Sequence, residues 1–374
     1  MTHRHKTFRS GDALCDAWHF PGQGEAFAGD GGRPVVVMAH GLGGTKDSGL
    51  QAFAERLAAA GLDVLAFDYR GFGASGGAPR QRVDLRGQAD DYRAALCAAA
   101  RLDGADPNRL ILWGVSLAGG HVLSVGAHRR DVAAVVALTP LVDGPAAGLL
   151  AARHHSMPSM LRSTAIGTRS RVAALRGLPP VTIPIVGRPG ETAALTLDGY
   201  FEDYTALAGP TWRNEIDAGV ALELGTYRPG KDAAGLRCPL LVQIADFDRS
   251  APPHAAAVAA ARGRAEVRHY PCDHFDVWPG RDWFDAAVAH QISFLSRHLG
   301  AGSPPAGSPR HDGTAGSPRH DGTAGSPRHD GTAGSPRHDD TAGSPRHDDT
   351  AGSPRHDDTA GSPRHDDAAP TTTR

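Results

Sequence analysis

The stretch Arg109-Leu110-Ile111-Leu112-Trp113-Gly114-Val115-Ser116-Leu117-Ala118-Gly119-Gly120 leaves the chain few ways to fold. Its first half is a short apolar run bounded by a turn signal, the pattern of a strand buried on both faces of a parallel sheet. Its second half begins a helix. Between them the chain turns at Ser116 with little bulk on either side: Gly114 two residues before, Ala118 two after, then Gly119 and Gly120. Strand and helix pass closely at such an elbow, so its flanks must be small and the serine backbone strained, with the hydroxyl turned out of the sheet. The usual pattern is G-x-S-x-G. Ala118 departs from it while keeping its steric logic. A glycine-rich strand-to-helix turn also suits a phosphate-binding loop or a plain tight turn, so the reading depends on the rest of the chain.

The rest of the chain repeats the same alternation. Asp12 to Pro21 reads as an early antiparallel strand and Gly22 to Arg33 as a glycine-rich loop. Pro34 to Ala39 is a continuous apolar strand that leads directly into His40-Gly41-Leu42-Gly43-Gly44. Ser48 to Ala60 reads as a helix, with Leu50, Phe53, Ala54 and Leu57 on one face and Gly61 closing it. Leu62 to Phe67 is the next strand, followed by Asp68-Tyr69-Arg70-Gly71-Phe72-Gly73-Ala74-Ser75. A helix from about 82 to 101, the elbow strand, a helix to about 128 and a strand from Val132 to Leu138 complete this half. Such alternation is the signature of right-handed crossovers and a mostly parallel sheet covered by helices on both faces.

Four segments follow. Residues 1–143 form the first part of an α/β core, and 144–236 an insertion or cap of apolar helical stretches broken by proline and glycine. Residues 237–300 form the second part of the core, with strands at 239–245 and 265–270 and helices at 253–262 and 282–299. From 301 to 374 the composition breaks. Seven copies of a nine-residue unit, Ala-Gly-Ser-Pro-Arg-His-Asp-Gly-Thr drifting to Asp-Asp, occupy residues 306–368. The unit carries no large apolar residue to bury, so it reads as a disordered tail whose partner, if it has one, is unknown.

Composition excludes several functions. The formal charge of −2 argues against a nucleic-acid surface. No apolar run is long enough to span a membrane, and no apolar core follows the basic N-terminus as in a signal peptide. The four cysteines, at 15, 97, 238 and 272, are scattered without metal spacing, which favours a reducing, cytoplasmic setting. No cofactor or metal site is read; His154-His155 lacks further nearby ligands.

If Ser116 is a nucleophile it needs a base, an acid and an oxyanion hole, all at the carboxyl ends of strands. His274 follows the last strand and is the candidate base, with His40 the competitor. Asp248 is the candidate acid, in the loop after the strand at 239–245; Asp246 and Asp143 remain open. Backbone amides of Leu117, next to the serine, and Leu42, in the H-G-L-G turn, are the candidate oxyanion donors. The order Ser116, Asp248, His274 along the chain fits one known arrangement of serine, acid and histidine.

These residues resemble the α/β-hydrolase superfamily over roughly residues 10–299. The matching landmarks are His40-Gly41-Leu42-Gly43-Gly44, Asp68 to Ser75, Gly114 to Gly120, Asp248 and His274. More narrowly, the chain is similar to bacterial hydrolases with X-Pro dipeptidyl-peptidase-like and serine aminopeptidase-like domains, and to fungal polyketide transferases and thiohydrolases. Ile183 to Gly190 and Trp212 to Glu215 carry that likeness. The resemblance implies an α/β-hydrolase fold with a cap insertion after Leu138, and a structural role for the Asp68 to Ser75 block. Serine at 116 argues against the branches that place an aspartate there. The expected function is hydrolysis of a small-molecule carboxylic ester or thioester with an apolar acyl group. Acyl transfer or peptide cleavage through the same triad is the alternative, and a catalytically silent binding protein the outlying one. Tyr200, Phe201, Tyr204, Trp212 and Tyr227 in the insertion suit either an acyl pocket or plain core packing.

Overall fold

Continuous apolar runs become the centre of one eight-stranded sheet. The computed structural model describes residues 3–300; the nonapeptide repeats lie outside the described residues. The chain opens with β1 (Arg4–Ser10) and β2 (Ala13–Phe20), then β3 (Arg33–Ala39), α1 (Leu50–Ala59), β4 (Asp63–Phe67), α2 (Leu85–Ala99), β5 (Ala105–Val115), α3 (Leu117–Gly126) and β6 (Val132–Leu138). Residues 144–236 add α4 (Gly144–Ala151), α5 (Met157–Leu175), β7 (Thr182–Ile183), α6 (Tyr200–Leu207), β8 (Ile216–Asp217), α7 (Val220–Leu224) and a 3-10 turn at Pro229–Gly235. The main sheet resumes with β9 (Leu240–Ala245), α8 (Pro253–Arg262), β10 (Glu266–Tyr270) and α9 (Phe284–Leu299).

The strand order is β1-β2-β4-β3-β5-β6-β9-β10. β1 and β2 pair antiparallel, as do β2 and β4, while every pairing from β4 across to β10 is parallel. β7 and β8 form a separate two-stranded ribbon. The early strand expected at 12–21 is β2. β1 is an addition to the sequence reading: only Phe8 and Ser10 of its seven residues are buried. Its charged, solvent-facing positions hide it from a search for apolar alternation, and charge is how an edge strand resists pairing with a neighbour.

β3, β4, β6 and β9 are buried almost end to end. One polar residue in this interior, Gln243, is fully satisfied. Its Nε2 donates to Tyr270 Oη (2.6 Å) and to Ala287 O (2.9 Å), and its Oε1 accepts from Gln291 Nε2 at 2.7 Å. Gln291 Oε1 accepts in turn from Trp113 Nε1 at 3.0 Å. This chain of buried bonds ties α9 to β5, β9 and β10, and none of its members is left with an unmet desolvation penalty. α2 starts at an N-cap, Asp84, whose carboxylate accepts from Arg86 N and Gly87 N. That cap explains why the helix begins three residues later than the sequence reading placed it.

The chain reverses its direction of winding at β3, which lies between β4 and β5. A ligand crevice in an open parallel sheet forms at such a switch, outside the carboxyl ends of the strands. The loops after β3 and β5, which carry His40 to Gly44 and Ser116, are therefore neighbours.

Candidate active site

Ser116 stands between β5 and α3 with φ 56° and ψ −120°, a conformation that residues with a side chain rarely adopt. Two backbone bonds hold it there: Ser116 N donates to Leu138 O, and Leu141 N donates to Ser116 O, both at 2.9 Å. The close approaches fall on glycines. A Cβ on Gly114 would lie 2.3 Å from Ala118 O, one on Gly119 2.7 Å from Pro140 Cβ, and one on Gly120 2.4 Å from Leu141 O. Ala118 is itself fully buried without conflict, so alanine is accommodated where the usual motif has glycine. Across the crevice Gly41 presses on the serine; a Cβ there would sit 2.8 Å from Ser116 Cβ.

His274 follows β10 and Asp248 follows β9, and both side chains are buried. His274 Nδ1 donates to Asp248 Oδ2 at 2.6 Å. The other carboxylate oxygen, Oδ1, accepts from Ser250 N and Ala251 N, each at 2.7 Å, which fixes the plane of the acid. Burial opposes protonation of His274. The adjacent Asp248 charge and the hydrogen bond to it outweigh burial and hold the imidazole above its ordinary pKa.

The two alternative acids are engaged elsewhere. Asp246 pairs with His269 Nδ1 at 2.6 Å on the surface. Asp143 caps α4 by accepting from Ala146 N at 3.0 Å. His40, the alternative base, donates from Nε2 to Ser48 O at 3.0 Å and stacks on Trp278 with ring centroids 4.9 Å apart. Burial pushes its pKa down to about 4, so it is a neutral brace inside the loop it begins. The structure thus joins His274 to Asp248. It does not join Ser116 to His274 by a hydrogen bond, and the Ser116 hydroxyl has no partner among the described residues.

Sequence reading missed the residues that hold these loops. Asp273 Oδ1 accepts from His274 N at 2.8 Å and from Arg249 N at 3.0 Å, and Asp273 Oδ2 accepts from Arg249 Nε at 2.6 Å. This ion pair links the residue after Asp248 to the residue before His274. Burial would raise the Asp273 pKa, but the amides and the guanidinium hold it below the ordinary carboxylate value. On the other side of the crevice Lys46, 1% exposed, lies 2.6 Å from both Asp16 Oδ1 and Asp68 Oδ2. Lys46 N donates to Asp68 Oδ1, and Ala74 N to Asp68 Oδ2. A charge buried this deeply requires such pairing, and the pairing binds the His40 to Ser48 loop to the Asp68 to Ser75 block.

Three tyrosines of the 144–236 segment reach the same loops. Tyr200 Oη donates to Asp273 Oδ1 (3.1 Å) and Tyr204 Oη to Leu42 O (2.7 Å), while Tyr227 Oη lies 3.3 Å from Leu117 O. Tyr204 also stacks on Trp212, and Tyr200 packs edge-on against Phe275. These aromatic residues are core packing, with each hydroxyl spent on a site loop. Burial pushes all three phenols above their ordinary pKa, so they stay neutral hydrogen-bonding groups. Among the described residues no cluster of histidine, cysteine, aspartate or glutamate is arranged to hold a metal ion.

Comparison with known proteins agrees with this fold. A family model described as serine aminopeptidase, S33, matches residues 31–272, from β3 through β10, and ends two residues before His274. The chain is 34% identical over 293 residues to the quorum-quenching protein AidA of Acinetobacter baumannii, covering 78% of this chain and 93% of that one. It is 24% identical over 310 residues to a thiohydrolase of Eupenicillium brefeldianum, covering 77% and 92%. The crystal structure of the α/β hydrolase GrgF from Penicillium sp. sh18 matches with a TM-score of 0.65 at 22% identity, covering 80% of this chain and 99% of that one. With the parallel strands of the main sheet, β3 to β10, and the Ser116 elbow inside the matched region, this chain belongs to the serine aminopeptidase S33 family and is an α/β-hydrolase enzyme.

Proposed function

We propose that the protein cleaves a carboxylic ester or thioester through an acyl-enzyme, with Ser116 as nucleophile, His274 as base and Asp248 as acid. The observation that carries this reading is the buried 2.6 Å His274–Asp248 hydrogen bond, in the sheet whose elbow holds Ser116 at φ 56°. His274 takes the Ser116 proton as Oγ attacks the carbonyl carbon. Asp248 orients the ring and stabilises the imidazolium that forms. The amides of Leu42 and Leu117 hold the oxyanion, and His274 returns its proton to the leaving oxygen or sulfur. Water, activated by the same histidine, then releases the acid. Ile185 and Ile216, both fully buried, pack against Gly43 of the proposed oxyanion loop.

Four free thiols fit a reducing, cytoplasmic setting. Acyl transfer to an alcohol or amine, or peptide cleavage, shares every step up to the acyl-enzyme. Relatives named polyketide transferase keep transfer in view. The relative named for quorum quenching adds quorum-signal molecules to the substrates worth testing. The test is turnover of a panel of p-nitrophenyl esters and acyl thioesters of rising chain length, with and without added nucleophiles. Ser116→Ala is expected to lower kcat by about 10⁴- to 10⁶-fold and to abolish fluorophosphonate labelling. Near wild-type turnover by folded Ser116→Ala would remove the serine from the mechanism.

A further inference from the structure

Residues 144–178 contain five arginines, two histidines and no aspartate or glutamate, in a chain whose formal charge is −2. The same stretch carries six of the nine large apolar side chains left exposed among the described residues: Leu149, Met157, Leu161, Val172, Leu175 and Leu178. α5 concentrates both features. Of its nineteen residues only Gly167 and Ser170 are buried. Leu161 is 64% exposed and Leu175 82%.

The two sets are ordered around the helix. At 3.6 residues per turn, Met157, Leu161, Val172 and Leu175 fall within about 60° of one another. Arg162, Arg169 and Arg176, spaced seven apart, form a row about 90° round from that stripe. The guanidinium groups of these three arginines make no ion pair or hydrogen bond among the described residues, whereas Arg171 on the other flank is paired with Glu223 at 3.0 Å. Just past the helix end, a cavity of about 650 Å³ continues the pattern, with Leu178, Pro179 and Pro180 beside Arg80 and Arg82; Glu215 is the one carboxylate lining it.

We propose that the outward face of α5 docks the protein on an anionic lipid surface. A helix lying in the plane of a membrane interface presents an apolar stripe to the acyl region and keeps cations at its edge, where their stems lie along the apolar surface and their heads meet phosphate. Basic residues near such a surface are drawn to it, and the attraction is screened by salt. A second copy of the chain is the poorer occupant, because pairing α5 with itself brings two rows of unpaired arginine together. The inference does not depend on the catalytic reading, since no residue of this face belongs to the site.

The test uses the full-length chain and vesicles of phosphatidylcholine, either alone or mixed with phosphatidylglycerol. Co-sedimentation is expected with the mixed vesicles, weakening as salt rises, and not with the neutral ones. The triple variant R162Q/R169Q/R176Q is expected to lower partitioning by about 100-fold, and L161S/L175S to lower it as well. Both should turn over a soluble short-chain ester at the wild-type rate, which shows that the fold survives. Three results would overturn the proposal: no binding of the wild type to mixed vesicles at low salt, binding that ignores lipid charge, or binding that both variants retain. A lipid-free dimer that L161S/L175S dissociates would assign the face to self-association instead.

Discussion

At the scale of single residues, the behaviour of the site rests on how its histidines are charged. The Asp248 carboxylate is what lifts His274 above its ordinary pKa against the pull of burial. As the proposed base His274 must be neutral, so kcat/KM is expected to rise with pH through an apparent pKa above the ordinary histidine value of about 6.5. Asp248→Asn removes the lifting charge; kcat should fall by about 10⁴-fold and the midpoint should move down. A pH-rate profile with an unmoved midpoint would detach Asp248 from His274. Stability runs the other way for the two structural histidines. Burial lowers His40 to about 4 and His121 to about 3, so both are neutral in the fold and would be protonated in the unfolded chain below about 6.5. Their contribution is present above that value and is lost as pH falls, by at most ~1.4 kcal/mol per pH unit for each. His274, with its raised value, contributes in the opposite sense: its share is present below about 6.5 and lost as pH rises through its folded pKa. Two groups outweigh one, so the melting temperature should drop between pH 7 and pH 5. A flat or rising Tm would contradict the neutral burial of His40 and His121.

At the scale of elements, the loops that carry the proposed Ser116, Asp248 and His274 follow β5, β9 and β10, and tyrosines of the 144–236 segment bond to the neighbouring loops. Tyr204 on α6 is the clearest brace, because its hydroxyl bonds the carbonyl of Leu42, whose amide is the proposed oxyanion donor. Tyr204→Phe removes a hydrogen bond to the half-buried Leu42 carbonyl and is expected to lower stability by about 1 kcal/mol. It should also lower kcat by about tenfold with little change in KM, because the donor is made less rigid rather than removed. Stopped-flow acylation with a thermal melt checks both halves, and unchanged kcat would show that the loop holds its shape without the tyrosine. The same elements show what periodicity can and cannot reveal. Pro34 to Ala39 and Val132 to Leu138 are legible as buried strands because both their faces meet apolar layers. β1 was not, since an exposed edge imposes no apolar pattern. The outward face of α5 was invisible for a related reason: whole-chain charge averages away a basic patch of 35 residues.

At the scale of the whole molecule, every residue assigned to the site lies between His40 and His274, and the last helix closes the sheet at Leu299. A chain ending at Gly300 should therefore hydrolyse esters at the full-length rate. Soluble, folded protein of that length without activity would give the repeats a role in catalysis.

The amino-acid sequence alone was enough for the mostly parallel sheet, the elbow, the alternation of strand and helix, and the identities of Ser116, Asp248 and His274 as candidates. Each rests on local information: apolar runs, small residues at a turn, and polar side chains just past strand ends. Tertiary structure alone chose Asp248 over Asp246 as the partner of His274, since the two carboxylates stand two residues apart and only their directions differ. It likewise found the Arg249–Asp273 pair, the Lys46 cluster and the three tyrosine hydroxyls. Their partners are distant along the chain, and hydrogen bonds of that kind leave no period or motif behind.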